Sequence, residues 1–410
     1  MQPVTVLKDK RIVLGVTGSI AAYKAVDLAS KLTQAGAHVE AVLTESAEQF
    51  VTPLSFSAIT GRRAYTNHDL WGGDAHVLHI GLGERADLLL IAPCTADTLA
   101  RLAQGRSDDL LSLTALATRC SVLVAPAMDG GMWQHPATQA NIATLQQRGV
   151  VFAGPAEGRM ASGLVGLGRL LEPLDILGHA RLLLGRQGML AGKHIVVTAG
   201  GTREPIDPVR YLSNHSSGKQ GVAIAQAALD AGAAVTLITG PTVIVPTPVG
   251  AQHLEVGSAS IMREAVLDAA SDADALIMAA AVADFRPATM SEQKIKRQQT
   301  PDLTIPLVPN PDILLDVAER KAETGYPRVV VGFAAETQDL LANAHDKLTR
   351  KRLNLMVAND VTAQDAGFGV DTNRVTLIFA TGAQRSLPLM TKVEVAETIV
   401  TELAALLTAA

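Results

Sequence analysis

Tyr211–Gly221 reads YLSNHSSGKQG and lies just downstream of the strand-like run His194–Thr198. The segment joins a glycine-rich turn, hydroxyls and Lys219 ahead of a helix, a combination suited to a polyanion. Backbone N–H groups at a helix start carry partial positive charge, Gly218 and Gly221 let the backbone come close, and Lys219 adds a point charge for phosphate oxygens. The spacing is not that of the common P-loop, which disfavours an ordinary ATPase. Serine and asparagine often only cap helices, so for this loop alone a capping role stands beside the phosphate role.

A similar arrangement opens the chain. Arg11–Thr17 (RIVLGVT) reads as a buried strand, and Gly18, Ser19 and Ile20 lead into an alanine-rich helix. Each unit closes alike: Ala35-Gly36-Ala37 precedes the strand His38–Leu43, and Ala231-Gly232-Ala233 precedes the strand Val235–Ile238. Two strand–turn–helix–strand units predict an α/β chain of two doubly wound, Rossmann-like domains with mainly parallel sheets. Each would carry a phosphate-sized site at the carboxyl ends of its strands.

Composition narrows the classes. The chain has 410 residues, 48% of them hydrophobic, which at about 100–200 residues per domain suits two domains with substantial cores. The longest apolar runs, such as Ala275–Ala283, fall short of the roughly 18 residues a membrane span needs, and the N-terminus lacks a charged leader before an apolar segment. With 35 basic and 40 acidic residues and 3% aromatics, neither phosphate-backbone binding nor base stacking is supported, so nucleic acid is an unpromising partner. Two cysteines, Cys94 and Cys120, fit a reducing cytoplasm and argue against a disulfide framework or a zinc site.

The domain boundary is expected between Leu177 and Gly192, giving domains of residues 1–190 and 191–410. Gly154–Arg169 is glycine-heavy and reads as too irregular for an element, in the manner of a mobile cover. Pro287–Pro309 carries Lys294, Lys296 and Arg297 between proline-rich ends. By composition it reads first as a solvated charge run, and otherwise as a loop ordered on binding. In the N-terminal half, His79, the turn Ile91–Ala100, the stretch Gly105–Ser112 and APAMDGGMW (Ala125–Trp133) fall where strands should end. Singly each has an ordinary structural explanation; together they place small residues, hydroxyls and one imidazole around a crevice fit for an aromatic cofactor.

Both halves resemble the bifunctional coenzyme A biosynthesis proteins of bacteria, phosphopantothenoylcysteine decarboxylase fused to phosphopantothenate-cysteine ligase, over nearly the whole chain. In the ligase half the resemblance rests on TAGGTREPIDPVRYLSNHSSGKQG (Thr198–Gly221), AAAVADFRP (Ala279–Pro287), KIK (Lys294–Lys296), NPDIL (Asn310–Leu314) and VGFAAET (Val331–Thr337). In the other half the GSIAAYK turn, the histidine before a short helix, the TAD turn and the PAM motif are similar to flavin-containing cysteine decarboxylases with a flavodoxin-like fold.

For the ligase the resemblance implies activation of 4'-phosphopantothenate by CTP as an acyl-cytidylate, with magnesium, and displacement of CMP by cysteine. It assigns catalysis to Asn214 and Lys294. Arg210 and His215 are assigned to the substrate, and Met278, Ala279, Ala280, Asp284, Pro311, Asp312, Ile313, Leu314, Phe333, Lys347 and Lys351, with Lys294, to the nucleotide pocket. An amide can polarise the acyl carbonyl and a lysine can neutralise charge on the phosphates. For the decarboxylase it implies FMN, oxidation of the thiol to a thioaldehyde that accepts the electrons left by carbon dioxide, and His79 as the residue managing the thiol proton. Gly18 and Ser19 would hold the FMN phosphate, with Thr44, Ser46, Thr95, Asp97 and Ala127 around the cofactor.

Two departures stand out. The family's flap cysteine is Ser162, and the asparagine of its PAMN motif is Asp129, which would repel a substrate carboxylate unless protonated or paired with Arg159 or Arg169. A variant flap relaying protons differently is the expectation. The resemblance also implies trimeric decarboxylase units with FMN near subunit contacts, dimeric ligase units and a dodecamer. Three other classes remain in view: a peptidyl-cysteine decarboxylase, a non-catalytic regulatory flavoprotein, and a nicotinamide dehydrogenase, although neither turn spells G-x-G-x-x-G.

Overall fold

The computed structural model describes residues 4–71, 77–159, 163, 165–296, 303–336, 340–360 and 369–409. The chain divides into two compact units, Met1–Gly185 and Arg186–Ala410.

The first unit runs β1 (Arg11–Val16), α1 (Ala22–Gln34), β2 (His38–Leu43), α2 (Pro53–Thr60), α3 (Leu78–Arg85), β3 (Leu88–Cys94), α4 (Ala96–Gln104), α5 (Leu110–Ala117), β4 (Ser121–Pro126), α6 (Gly130–Gln134), α7 (Pro136–Gln147), β5 (Val151–Phe152), β6 (Ala156–Arg159), β7 (Val165–Arg169) and α8 (Pro173–Gly185). Its sheet is parallel throughout, in the order β2-β1-β3-β4-β5. That is the flavodoxin-like order, whose direction of winding reverses between β1 and β3. Strand β3 is buried at every residue, the mark of a strand covered on both faces. Its alternate residues part accordingly: Leu88 and Leu90 join the layer with Leu28 and Leu32 of α1, while Leu89 and Ile91 join the layer with Leu99 of α4 and Leu111 of α5. Helix α1 turns Ala22, Ala25, Leu28, Ala29 and Leu32 inward at helical spacing, and the chain leaves it through Gly36 at φ 99°.

Gly154–Arg169, expected to be too irregular for an element, contains an antiparallel hairpin instead: Glu157 pairs with Leu167, Gly158 with Gly166 and Arg159 with Val165. Glycines at 158, 166 and 168 erase the side-chain alternation by which a strand is recognised, whereas pairing needs only backbone groups.

The second unit runs β8 (His194–Ala199), β9 (Arg203–Pro205), β10 (Tyr211–Ser213), α9 (Lys219–Asp230), β11 (Ala234–Thr239), β12 (Gln252–Glu255), α10 (Ala259–Ala269), β13 (Ala275–Met278), β14 (Phe285–Pro287), β15 (Leu307–Pro309), α11 (Ile313–Thr324), β16 (Val329–Glu336), α12 (Leu340–Arg350), β17 (Leu355–Asp360), β18 (Thr372–Asn373), β19 (Val375–Phe379), β20 (Gln384–Ser386), β21 (Met390–Thr391) and α13 (Lys392–Ala409). The main sheet is ordered β12-β11-β8-β13-β16-β17-β19-β20. The first six strands are parallel, in the doubly wound order whose switch point lies between β8 and β13. Strands β19 and β20 add an antiparallel edge. Val196, Leu276 and Val330 face α10, α11 and α12, and α9 lies against α13 on the opposite face, as right-handed crossovers in the two directions from β8 require. The α/β, doubly wound expectation is met in both units.

Candidate functional sites

In each unit a pocket opens at the switch point of its sheet. The first, of about 840 Å³, is lined by the loop after β1 (Thr17–Ala21) with Tyr23 and Lys24 of α1, the loop after β2 (Thr44–Ser46), the start of α4 (Thr95–Thr98, with Arg101) and the loop after β4 (Ala127–Asp129), together with Arg159, Arg169 and Met132. That size lies within the range of small-molecule clefts. Gly18, Ser19, Thr44, Ser46, Thr95, Asp97, Ala127 and Asp129 therefore come together from separate parts of the chain.

Two local features shape this pocket for an anion. A Cβ added at Gly18 would sit 2.3 Å from Ser46 Cβ, so only glycine lets the two loops close on each other. Helix α1 begins without a side-chain cap, whereas α4 and α5 are capped by Thr95 and Asp109. Around its start Ala22 N–H donates to Ser19 O (2.9 Å), Lys24 N–H to Ala21 O (3.0 Å) and Ala21 N–H to Ser19 Oγ (3.2 Å), while the helix start as a whole still carries partial positive charge toward the pocket. Buried Thr17 knits the switch point, donating to Pro93 O (2.7 Å) and accepting from Thr95 N (3.1 Å). Asp97 is engaged by Arg101 (2.9 Å), which also binds Asp108 (2.7 Å). Asp129 does not stand as a bare carboxylate: it caps α6, accepting from Gly131 N at 3.0 Å, a position where aspartate and asparagine serve almost equally. Arg159 and Arg169 line the same pocket. Arg169 is bound to Glu172, whose carboxyl is held below its ordinary range by Lys24 first and Arg169 second.

His79 is not among the pocket-lining residues. It lies on the first turn of α3 with Nδ1 buried and without a hydrogen-bond partner. Ser162 lies outside the described residues. Burial in β3 pushes the Cys94 thiol far up, which leaves it an inert core group.

The second pocket, of about 580 Å³, brings together Asn214–Gly221, Met278–Asp284, Asn310–Leu314, Phe333, Lys347 and Lys351. Every residue expected around the nucleotide lines it except Lys294. His215 lines it and Arg210 does not. Thr198 at the end of β8 accepts from Ala280 N (3.0 Å), and Thr202 accepts from Ala283 N (3.1 Å), so the loops after β8 and β13 are stitched across the switch point. Asn214 donates to Val282 O at 3.0 Å, which fixes the plane of its amide. Gly218 has φ 71°, and a Cβ there would meet Val243 Cγ2 at 2.5 Å; α9 starts from it with no side-chain cap. At the other end Lys351 pairs with Asp312 at 3.0 Å.

Arg210 and Lys294 are joined by a small network outside the pocket. Buried Asp207 takes hydrogen bonds from Arg210 Nε (3.0 Å), the backbone of Val209 and Arg210 (2.8 Å each) and Ile295 N (3.2 Å), while Arg210 Nη2 donates to Ile295 O at 2.8 Å. The Arg210 hydrogen bonds, ahead of the opposing cost of burial, hold the Asp207 carboxyl well below the usual carboxylate range. The exposed Lys294 is thus carried on a segment moored to the loop that bears Asn214. Sequence reasoning missed Thr17 and Arg101 in the first pocket and Asn359, Asn373 and Lys392 in the second. The last two are set by chain far beyond the motifs, and no local signal marks them.

Residues 2–180 match the family described as Flavoprotein, and residues 190–407 match that described as DNA/pantothenate metabolism flavoprotein C-terminal domain. The chain is 46% identical over 403 residues to the coenzyme A biosynthesis bifunctional protein CoaBC of Bacillus subtilis, covering 98% of each. It is 47% identical over 409 residues to that of Mycolicibacterium smegmatis, covering 97% of this chain and 98% of the relative. A solved C-terminal domain of a coenzyme A biosynthesis bifunctional protein CoaBC is 38% identical, with TM-score 0.46, over 54% of this chain and 100% of that one.

Proposed function

The chain belongs to the family of coenzyme A biosynthesis bifunctional proteins, and from that premise we propose how its two pockets divide the work. It is an enzyme with two activities, phosphopantothenoylcysteine decarboxylase in the flavoprotein half and phosphopantothenate-cysteine ligase in the other. What supports the division is that each half has its own cleft at its own switch point, each facing a helix start with no side-chain cap.

In the second pocket the carboxylate of 4'-phosphopantothenate attacks the α-phosphate of CTP. Pyrophosphate leaves, and the acyl-cytidylate is opened by the cysteine amine to give the amide and CMP. Lys347 and Lys351 balance the nucleotide's phosphates, and magnesium enters with the triphosphate. Among the described residues no three His, Cys, Asp or Glu side chains form a metal-holding group. Asn214, its amide plane fixed by Val282, donates to the acyl oxygen as charge gathers there. Lys294, carried on the segment moored to Asp207, neutralises the departing pyrophosphate.

In the first pocket the residues fit FMN: Gly18 and Ser19, at the positive end of α1, receive its phosphate, and Thr44, Ser46, Thr95, Asp97 and Ala127 surround the rest. When bound, FMN supplies the redox chemistry that gives the departing carbon dioxide's electron pair somewhere to go. Asp129 holds the start of α6 against the cleft, and Arg159 and Arg169 offer cations to the substrate. His79 moves the thiol proton. Because it does not line its own chain's cleft, it serves a neighbouring copy, in keeping with trimeric decarboxylase units within a dodecamer. Among the described residues no helix is long and apolar enough to cross a membrane, and a cytoplasmic enzyme is proposed.

The test supplies 4'-phosphopantothenate, cysteine, magnesium and each nucleotide in turn, with products identified by mass spectrometry. CTP is expected to yield 4'-phosphopantothenoylcysteine and then 4'-phosphopantetheine, from a yellow protein. Equal turnover with ATP would remove the nucleotide assignment, and a colourless, gently purified protein would remove FMN.

A further inference from the structure

Behind the wall of the first pocket, one carboxylate joins two of the cations that line it. Lys24, on the first turn of α1, and Arg169, at the end of β7, both line the pocket, and Glu172 does not. Lys24 Nζ donates to Glu172 Oε1 at 2.8 Å, and Arg169 Nη2 donates to the same oxygen. The Lys24 side chain is only 11% exposed, so its stem lies against the protein and its ammonium emerges at that carboxylate.

Glu172 is fixed on one side and holds on the other. Its carbonyl accepts from Asp175 N (2.9 Å) and Ile176 N (3.1 Å), which starts α8, and Ile176 and Leu177 of α8 lie in the same core layer as Leu28 and Leu32 of α1. The hairpin β6–β7 has no such footing. No residue of β6 is buried, Gly168 is the one buried residue of β7, and Val165 is 73% exposed. A segment that buries so little apolar surface takes little of its stability from packing, so polar ties decide where it stands. Among them, Met128 N donates to Gly168 O at 2.9 Å, and Arg169 binds Glu172. A Cβ added at Gly158 would come within 3.2 Å of Arg169 Cδ. The Arg169 stem therefore runs across β6, and the strand that carries Arg159 rests on the same tie.

Resting on the decarboxylase reading above, in which Arg159 and Arg169 meet the substrate, we infer that Glu172 is a positioning residue: by joining Lys24 on α1 to Arg169 on β7 it roots the hairpin and sets its two arginines in the cleft. It acts through those cations and not on the substrate itself. Because Lys24 lies about one turn beyond the Gly18–Ser19 cradle, the hairpin is held in register with the end of the cleft assigned to the FMN phosphate.

The test uses the full chain and supplied 4'-phosphopantothenoylcysteine, comparing wild type with Glu172→Gln, which keeps the shape and removes the charge. The KM for that intermediate is expected to rise about three- to tenfold, between the worth of an exposed ion pair and that of a charged hydrogen bond, with kcat within about twofold. Bound flavin, read from its visible absorbance, and ligase activity should stay at wild-type levels. Backbone amides of residues 156–169 should exchange with deuterium about threefold faster or more. Lys24→Met should raise the same KM, and the double variant should rise no further than the larger of the two single changes, because both break one tie. An unchanged KM in Glu172→Gln, effects that multiply in the double variant, or loss of flavin from Glu172→Gln overturns the inference. Failure of wild type to decarboxylate the intermediate would instead refute the decarboxylase reading, and the exchange rates would still decide on the tie, which unchanged exchange in Glu172→Gln overturns.

Discussion

The two units start from the same plan and part at the first turn. In the first, β1 passes into α1 through residues 17–21, a turn short enough that its groups do nothing but knit the switch point and face the cleft. In the second, β8 reaches α9 only after residues 200–218, which fold out into the β9–β10 hairpin and return with Asn214, Arg210 and the Asp207 mooring. A short turn can hold a phosphate but has little room for further groups, so on the proposed reading the first unit draws its reactive groups from α3 and the hairpin β6–β7, whereas the long turn would carry them beside the anion site itself. On that reading the same topological position is a cradle in one unit and a cradle with catalytic equipment in the other.

Four measurements would break or sharpen that contrast. The largest effect is expected from Asn214→Ala and Lys294→Ala, each lowering ligase kcat about 10²- to 10³-fold while decarboxylation of supplied intermediate stays within twofold. His79→Asn should do the reverse. If either change abolished both steps in a folded protein, the division between units would be lost.

Next come the two turn glycines. Gly18→Ala would press Ser46 from 2.3 Å and is expected to release the flavin, read as loss of yellow colour on gel filtration, with ligase activity intact. Gly218→Ala forces φ 71° on an alanine beside Val243 and should cost the second unit about 1–3 kcal/mol in denaturant unfolding, with the colour retained. Retention of colour by the first variant would show that its cradle tolerates a methyl group and would weaken the anion reading of that turn.

Asp207→Asn is expected to lower ligase kcat/KM about tenfold by freeing the Lys294 segment, an effect between that of a catalytic and a peripheral group. Its pH behaviour has a definite sign. The folded carboxyl titrates below its unfolded value, so its contribution is complete above the unfolded pKa and is lost as pH falls through the folded one. Thermal stability of the second unit should therefore drop below about pH 4, and the drop should be shallower in the Asn variant. Equal slopes would remove Asp207 as the mooring.

The smallest change is expected for Asp129→Asn, within a few tenths of a kcal/mol in stability, because either residue caps α6. A loss of several kcal/mol would show that the carboxylate itself, and not its capping oxygen, holds the loop after β4.

The reading from sequence succeeded where the signal was local. The buried strands, the glycine turns at 18 and 218, and the loop residues Ala279, Ala280, Pro311 and Phe333 all announce themselves by period, composition or motif, and all fall at the clefts. It failed where glycine hid a pattern, as in β6 and β7. It did not show that Arg210, expected at the substrate, bonds Asp207 and Ile295 within its own chain. Asp129 read as an electrostatic problem and is a helix cap.

By itself the sequence determined that this chain forms two β–α–β-based units, because hydrophobic period and glycine placement act within a few residues of one another. Only the tertiary structure decided that Lys392 and Asn373 would join the second cleft and that His79 would stand outside the first. Those placements depend on which helix lies on which face and which strands are neighbours, and the order of strands in a sheet is settled by packing across the whole unit rather than by any one stretch of it.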